Sequence, residues 1–177
     1  MKGRWLIVTV AAALIAMMSL PAAAAGQRGA DRPFNATLAG HVYFEWPGVS
    51  PSDCTIVTTN TEATGSATHM GRVEASWSHC PAEVDYVGDG RLVLIAANGD
   101  ELYGLYDYYE VEGAPFLSPI ALDGGTGRFA AASGEVEADF VAVPVLKDGC
   151  NDPGNFDCFD FTVPWPWWAT VRGTIDM

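Results

Sequence analysis

Basic side chains are scarce in this 177-residue chain, which has 9 Lys and Arg against 22 Asp and Glu and a net charge of −13. Recognition of a nucleic-acid backbone needs a surplus of Lys and Arg, so the composition predicts no nucleic-acid partner. The same shortage argues against docking on anionic lipid surfaces. The hydrophobic content of 49% excludes a disordered acidic chain, because such chains lack apolar side chains to bury.

Signatures of catalysis and of cofactor binding are also missing. The chain contains no G-x-S-x-G, H-E-x-x-H or P-loop motif, so no enzyme class is indicated and no cofactor is predicted. No internal repeat or low-complexity linker divides the chain. We therefore expect a single domain over residues 26–177.

The N-terminal segment has the three parts of a secretory signal peptide. Lys2 and Arg4 give it a short basic start, residues 5–18 are almost wholly apolar, and residues 21–25 offer small side chains for cleavage. We expect removal of residues 1–25 and secretion to an extracellular or periplasmic location. The remaining 152 residues then carry 7 basic and 22 acidic side chains, a net charge of −15.

An uncleaved membrane anchor is the alternative for this segment, since no charge lies between Trp5 and Gly26. Its apolar core is shorter than the roughly 20 residues that a membrane helix needs, and Pro21 interrupts it. We therefore expect no membrane association after cleavage.

Four cysteines lie in the expected mature chain: Cys54, Cys80, Cys150 and Cys158. An even number of cysteines in an exported protein favours two disulfides. Three pairings are possible, and proximity in the sequence favours Cys54 with Cys80 and Cys150 with Cys158. A four-thiolate zinc site is the alternative, although such sites usually contain closely spaced cysteine pairs.

Alternation of apolar and polar residues dominates the mature chain. In residues 34–46 the even positions are apolar or small and most odd positions are polar, a pattern typical of a strand with one buried face. The same pattern predicts strands over residues 66–80, 134–145 and 167–175. Residues 91–97 and 101–111 form two further β-like runs, and residues 54–58 and 116–122 form shorter ones.

The strand count points to a closed architecture. Asn98-Gly99 suits both positive-φ positions of a tight hairpin turn, and no segment has the pattern of an amphipathic helix. About eight antiparallel strands that each bury one face can close into a β-barrel, whose interior either fills with side chains or holds one small ligand. A two-sheet sandwich is the alternative.

Three blocks resemble the bacterial allene oxide cyclase-like barrel proteins, relatives of plant allene oxide cyclases and dirigent proteins. They are ATHMGR at 67–72, GDGRL at 88–92 leading into AANGDEL at 96–102, and GGTGRFA at 124–130. The closing Gly173-Thr174-Ile175 resembles the family's last strand. The resemblance implies a small antiparallel β-barrel. It also implies that a cavity could shape a reactive intermediate, but no catalytic residue of the family can be matched to a position here.

The glycine-rich block has two interpretations. Gly125, Gly127 and Ala130 match the spacing of a dinucleotide fingerprint, but that fingerprint must open a helix, and another alternating strand follows here. The more economical hypothesis gives positive-φ turns to the glycines, including Gly124. Phe129 then plugs one barrel end, and Arg128 pairs with a carboxylate there.

Histidine and tyrosine supply the weak catalytic candidates. His69 has the strand parity of Val73 and Trp77, which predicts an inward side chain able to act as a general base or to contact a ligand; a structural histidine beside a turn is the alternative. In the tyrosine-rich strand, one face carries Tyr106, Tyr108 and Glu110. These side chains could line a pocket for an aromatic ligand, or they could simply be good strand formers.

Two further segments invite functional interpretations. Residues 164–168, Pro-Trp-Pro-Trp-Trp, could contact a partner or pack across a barrel mouth. Acidic and amide side chains surround the second cysteine pair and could bind Ca²⁺, but their spacing fits no known calcium loop, so a solvated acidic insertion is favoured and no metal is predicted. These side chains are Asp148, Asn151, Asp152, Asp157 and Asp160.

The leading functional hypothesis is a non-catalytic protein that binds a small apolar or aromatic ligand in its barrel. It depends on inward aromatic side chains, and the expected ligand contacts are His69, Trp77, Phe140 and Trp167. Phe34 and Phe44 are expected to point inward as well. The alternatives are a cyclase-like or dirigent-like enzyme with polar groups converging in a cavity, and a structural or surface interaction protein with a solid barrel.

Overall fold

The computed structural model describes residues 31–46, 58–79, 88–111, 114–117 and 119–177. The expected signal peptide, residues 1–25, and the expected Cys54 to Cys80 disulfide lie outside these residues. The side chains of Tyr108 and Glu110 lie outside them as well.

Nine strands account for most of the described chain, and no α-helix occurs within it. The strands are β1 (Arg32–Glu45), β2 (Thr58–Ala67), β3 (Gly71–His79), β4 (Gly88–Ala96), β5 (Glu101–Val111), β6 (Ala114–Leu117), β7 (Ile120–Gly125), β8 (Ser133–Ala142) and β9 (Trp165–Asp176). Single 3-10 turns occupy Gly127–Phe129 and Phe156–Cys158.

Eight of these strands close into an antiparallel barrel. The pairing runs in the order β1, β2, β3, β4, β5, β7, β8 and β9, and β9 returns to β1. The short β6 pairs with the end of β5 and adds a hairpin arm outside this ring. The prediction of an eight-stranded antiparallel barrel is therefore confirmed, and the sandwich alternative is wrong.

The prediction of one strand over residues 66–80 is wrong, because a turn divides it. β2 ends at Ala67, the Met70 amide bonds to the Ala67 carbonyl at 3.2 Å, and His69 adopts a φ of 64°. The missed strand β2 has small inward side chains such as Ala63 and polar outward ones such as Glu62 and Thr64. Its apolar alternation is therefore weak in the sequence.

The hairpin between β4 and β5 also differs from expectation. The Gly99 amide bonds to the Ala96 carbonyl at 2.9 Å, and the Ala96 amide bonds to the Asp100 carbonyl at 2.8 Å. Gly99 has a positive φ of 85°, whereas Asn98 does not. The turn is therefore a three-residue loop ending in a left-handed glycine, and only one of the two predicted positive-φ positions exists.

The core follows the alternation that the sequence predicts. Along β1 the even positions Phe34, Ala36 and Leu38 are buried while the residues between them are exposed. Every strand of the ring contributes buried side chains, and together they form one continuous hydrophobic cluster. Burying this apolar surface supplies the main driving force for folding.

One end of the barrel, the plugged end, is sealed by the 3-10 turn after β7. Phe129 is fully buried. Arg128 lies 5.0 Å over its ring and 3.5 Å from the Asp100 carboxylate in the β4–β5 turn. The Thr126 amide bonds to the Glu101 carbonyl at 2.9 Å. The proposed plug and ion pair are confirmed, and the dinucleotide interpretation is wrong because no long helix follows the glycines.

Glycine conformation allows this plug to form. Gly124 and Gly127 have positive φ values of 74° and 55°, as predicted, whereas the prediction of a positive φ is wrong for Gly125, which continues strand β7. A β-carbon on Gly127 would overlap the Asp100 carboxylate, and one on Gly125 would overlap the Glu101 carbonyl. The glycines therefore let the plug approach the β4–β5 hairpin closely.

Within the described residues, no helix has the length and apolarity that a membrane crossing requires.

Candidate functional site

At the opposite end of the barrel, the open end, the described strands leave a gap in the wall. β7 begins at Ile120, which pairs with Val136, so no described strand pairs with β8 on that side beyond Val136. The inward side chains change there as well. Val136 is buried, whereas Ala138, Phe140 and Ala142 are only partly buried. Inward apolar surface therefore reaches solvent at this gap.

Aromatic rings form a floor below the open end. Trp77 on β3 and Trp167 on β9 meet across the barrel with ring centroids 5.5 Å apart. The ring of Tyr106 on β5 lies 5.8 Å from Trp77 in an edge-on arrangement. All three side chains are at least nine-tenths buried. Edge-on packing of this kind stabilises a rigid apolar surface.

A hydrogen bond between two inward polar side chains crosses this region. The Tyr106 hydroxyl lies 3.0 Å from Nδ1 of His79, and it also lies 3.4 Å from the Ser78 carbonyl. His79 and Tyr106 stand on strands separated by β4. They reach each other because Gly90, which pairs with both, has no side chain between them. A β-carbon on Gly90 would overlap the Tyr106 ring.

Burial keeps the imidazole of this pair uncharged. It lowers the pKa of His79 from 6.5 to about 4, because removing the imidazolium from water is unfavourable. At neutral pH the pair consists of a neutral imidazole and a neutral phenol. Such a pair can donate and accept hydrogen bonds, and the roles at Nδ1 depend on the tautomer.

The structure places four of the predicted site residues at the open end and one of them at the plugged end. Trp77, Trp167 and Phe140 point inward toward the open end, as expected, and Tyr106, for which the alternation did not decide between the inner and the outer face, points inward with them. The prediction that His69 points inward is wrong. His69 is exposed in the β2–β3 turn, at the plugged end, where Nε2 lies 3.1 Å from the Pro33 carbonyl. It has the structural role that was the alternative.

His79 is the site residue that sequence reasoning missed. It shares the inward parity of Trp77. The signal that could have identified it is its position opposite a glycine on β4, with a tyrosine opposite the same glycine on β5. Aromatic side chains commonly cover glycines on neighbouring strands.

The connection between β8 and β9 packs over part of the open end, where the ring of Phe161 contacts the inward side chains of Phe44 and Trp165. Cys150 and Cys158 form a disulfide with a Cα–Cα distance of 5.5 Å, which confirms that pairing. Trp165 is buried, its ring is 4.6 Å from that of Phe44, and its indole donates to the Asp160 carbonyl at 2.7 Å. Of the residues 164–168, only Trp168 exposes a large ring, with 46% of its surface accessible.

The acidic side chains of this connection satisfy local backbone groups. Asp152 accepts from the Gly154 amide at 2.9 Å. The Thr162 hydroxyl and amide bond to Asp160 and lower the pKa of its carboxyl. Within the described residues, no group of three or more His, Cys, Asp or Glu side chains is arranged to hold a metal ion.

Two depressions lie on the outside of the barrel, over β1 to β4. Their volumes are about 610 Å³ and 500 Å³, and they share Tyr43, Glu62 and Ser76. Most of the side chains that line them point outward, although Thr61 and Trp77 also contribute to the second depression.

Comparison with known protein families, with curated proteins and with solved structures finds no match to this chain. The resemblance to the allene oxide cyclase-like proteins therefore stays a prediction.

Proposed function

We propose that this protein is exported and binds a small apolar or aromatic molecule at the open end of its barrel without catalysing a reaction. The observation that carries the proposal is the partial exposure of Ala138, Phe140 and Ala142, which share the inward face of β8 with fully buried Val136. Apolar side chains that stay accessible on the inward face of a barrel are candidates for ligand contacts.

The packing of the barrel limits where this ligand can bind. Inward side chains near the plugged end, such as Phe34, Leu94 and Ile175, have no accessible surface. A water-sized cavity beside them would leave accessible surface on their side chains. The ligand therefore lies above the Trp77–Trp167 floor and enters through the gap beside β8.

Fluorescence titration with N-phenyl-1-naphthylamine, an uncharged aromatic probe, tests the proposal. We expect saturable binding to the folded protein. Phe140→Asp should abolish it, because a carboxylate at the opening makes the apolar surface costly to cover. Val141→Asp is the matched control, since Val141 is the next residue on β8 and is exposed on the outer face. No binding, or equal loss in both variants, would contradict the proposal.

Export is supported by the three-part N-terminal segment and agrees with the Cys150–Cys158 disulfide, because disulfides persist in oxidising compartments. Intact-mass measurement of the protein expressed with its full N-terminus in a secreting host tests it. We expect a mature chain that starts near Gly26 and lacks free thiols. An uncleaved chain in the cytosolic fraction would contradict export.

An enzyme that steers a reactive intermediate is the second candidate, and the Tyr106–His79 hydrogen bond favours it. A neutral imidazole 3.0 Å from a hydroxyl can exchange a proton with it. The discriminating experiment extracts the molecule retained by protein from its native source and follows it by mass spectrometry during incubation with fresh protein. Conversion that is lost in Tyr106→Phe would support an enzyme, and an unchanged molecule would support the binding protein.

A further inference from the structure

The outer face of β8, β9 and β1 carries a group of exposed apolar side chains, the outer apolar patch. Val141 lies directly opposite Trp168, and Trp168 lies opposite Ala39. Val143 continues this pairing, because its amide bonds to the Pro166 carbonyl at 2.8 Å. All five residues are exposed, and Val141, Val143 and Trp168 leave 47%, 42% and 46% of their surface accessible. A contiguous exposed patch of apolar side chains marks an interaction surface.

The outer apolar patch adjoins the larger depression on the outer wall, whose volume is about 610 Å³. Two rows of facing residues run across the strands from the patch into this depression. One row contains Trp168, Ala39, Thr64 and Glu74, and the next contains Pro166, His41 and Glu62. Neighbouring strands lie about 4.8 Å apart. A molecule that lies across the strands therefore meets apolar side chains first and a carboxylate about 10–14 Å further on.

The two carboxylates in these rows have no opposite charge beside them. Glu62 and Glu74 are exposed, and within the described residues neither forms an ion pair or a side-chain hydrogen bond. The segments 47–57, 80–87 and 112–113 lie outside the described residues, and they contain Asp and Glu but no Lys or Arg. None of the basic residues on β1 to β4 lines the depression. These residues are Arg32, Arg72 and Arg91.

We propose that the outer apolar patch and the adjoining depression form a docking surface for an extended basic segment of another protein. Its Lys or Arg side chains lie over Glu62 and Glu74, and an apolar side chain packs on Trp168. Charge complementarity selects this occupant, because the net charge of −13 attracts a cationic partner and repels a second copy of the chain. The four strand spacings from β8 to β3 amount to about 19 Å, the length of about six extended residues.

A hexapeptide that alternates lysine with leucine and is blocked at both ends tests the docking surface. The comparison peptides replace every lysine with serine or with glutamate. Each is titrated into the isotope-labelled protein at an ionic strength of about 0.15 M, and binding is followed in ¹H–¹⁵N NMR spectra. We expect saturable shifts at the Glu62 and Glu74 amides and the Trp168 indole. The lysine peptide should bind about tenfold more tightly than the serine peptide, because it adds ion pairs to the same apolar contact, and the glutamate peptide should not bind.

Variants assign the affinity to the two parts of the surface. Glu62→Gln combined with Glu74→Gln should weaken binding of the lysine peptide about tenfold. Asp123→Asn combined with Glu135→Gln is the matched control, because it removes the same charge from exposed positions on β7 and β8; it should change the affinity less than about twofold. Trp168→Ser should also weaken binding about tenfold, since exposed aromatic side chains often supply much of the affinity of an interface.

The proposal is overturned if the lysine peptide does not bind, or if the control pair of substitutions weakens binding as much as the pair at Glu62 and Glu74. The first result would remove the docking surface, and the second would show a response to overall charge alone. Cellohexaose and sedimentation velocity test the other occupants. Shifts at the Trp168 indole with cellohexaose but not with the lysine peptide, or a dimer that Trp168→Ser dissociates, would assign the surface to a neutral glycan or to a second copy instead.

Discussion

The two ends of this barrel are built from the same alternating strands, yet they bury their inward side chains to different degrees. At the plugged end, short turns hold β2 to β3 and β4 to β5, and the Gly127–Phe129 turn places a fully buried ring over the core. At the open end, β7 starts late, so β8 has no described partner on its β7 side beyond Val136, although it stays paired with β9. The connections rather than the strands decide which end is solid.

The two ends of the barrel also differ in whether their features favour stability or ligand binding. The plugged end has apolar contacts, a paired arginine and close glycine turns, all of which favour one rigid arrangement. The open end has a neutral polar pair, partly exposed apolar side chains and a stretch of wall that no described strand fills. Binding sites are commonly placed where packing is incomplete but the surrounding scaffold is rigid.

Removing the plug should have the largest effect. Phe129→Ala should lower the free energy of unfolding by about 3–5 kcal/mol, because it leaves a cavity under a fully buried aromatic position. Urea denaturation followed by tryptophan fluorescence measures the change. Phe156→Ala, at a ring with 68% of its surface exposed, should cost about 1 kcal/mol or less. Equal losses in the two variants would show that the plugged end is not a rigid element.

Acid should act first on the open end. Burial lowers the pKa of His79 to about 4, against 6.5 in the unfolded chain, so the unfolded state binds more protons between these values. Stability from this group is therefore full above pH 6.5 and falls as pH drops toward 4, by up to about 3 kcal/mol. Urea denaturation at pH 7 and pH 4.5 should show a smaller loss in His79→Gln than in the wild type. His41→Gln, at an exposed position, should retain the wild-type loss.

Crowding the Tyr106 ring should have an intermediate effect. Gly90→Ala should cost about 1–3 kcal/mol, because its β-carbon meets the ring of Tyr106. In a Tyr106→Ala background the same change should cost far less, since the ring is gone. The double-mutant cycle, measured by urea denaturation, should give a coupling of about 1 kcal/mol or more. Additive losses would mean that Tyr106 does not lie over Gly90 in solution.

Removing the ion pair at the plugged end should have the smallest effect on the free energy of unfolding. Arg128→Ala should cost about 1 kcal/mol or less, because Arg128 and Asp100 are partly exposed. The cost should shrink further in 1 M NaCl, which screens such pairs. Arg172→Ala, at a more exposed pair with Asp139, should cost less still. A loss of several kcal/mol at Arg128 would show that the plug depends on charge rather than on apolar burial.

Strand alternation was enough to predict the barrel and the plug, because inward parity persists along each strand and the glycine-rich block is local in sequence. Two kinds of feature could not be predicted from strand alternation. Turns inside polar, small-residue strands leave no break in the pattern, so the Ala67–Gly71 turn was missed and His69 was misplaced. The His79–Tyr106 bond needs the register of three strands, which no single segment contains.

We propose that ligand binds at the open end of the barrel and that the plugged end is solid. Titrating the isotope-labelled protein with 2-naphthol in ¹H–¹⁵N NMR spectra tests it most directly. We predict saturable shifts at the amides of His79, Tyr106 and Phe140 and at the Trp167 indole, with Arg128 and Phe129 unmoved. Shifts centred on Gly127–Phe129 or around Tyr43 on the outer face, or no shifts at all, would contradict it.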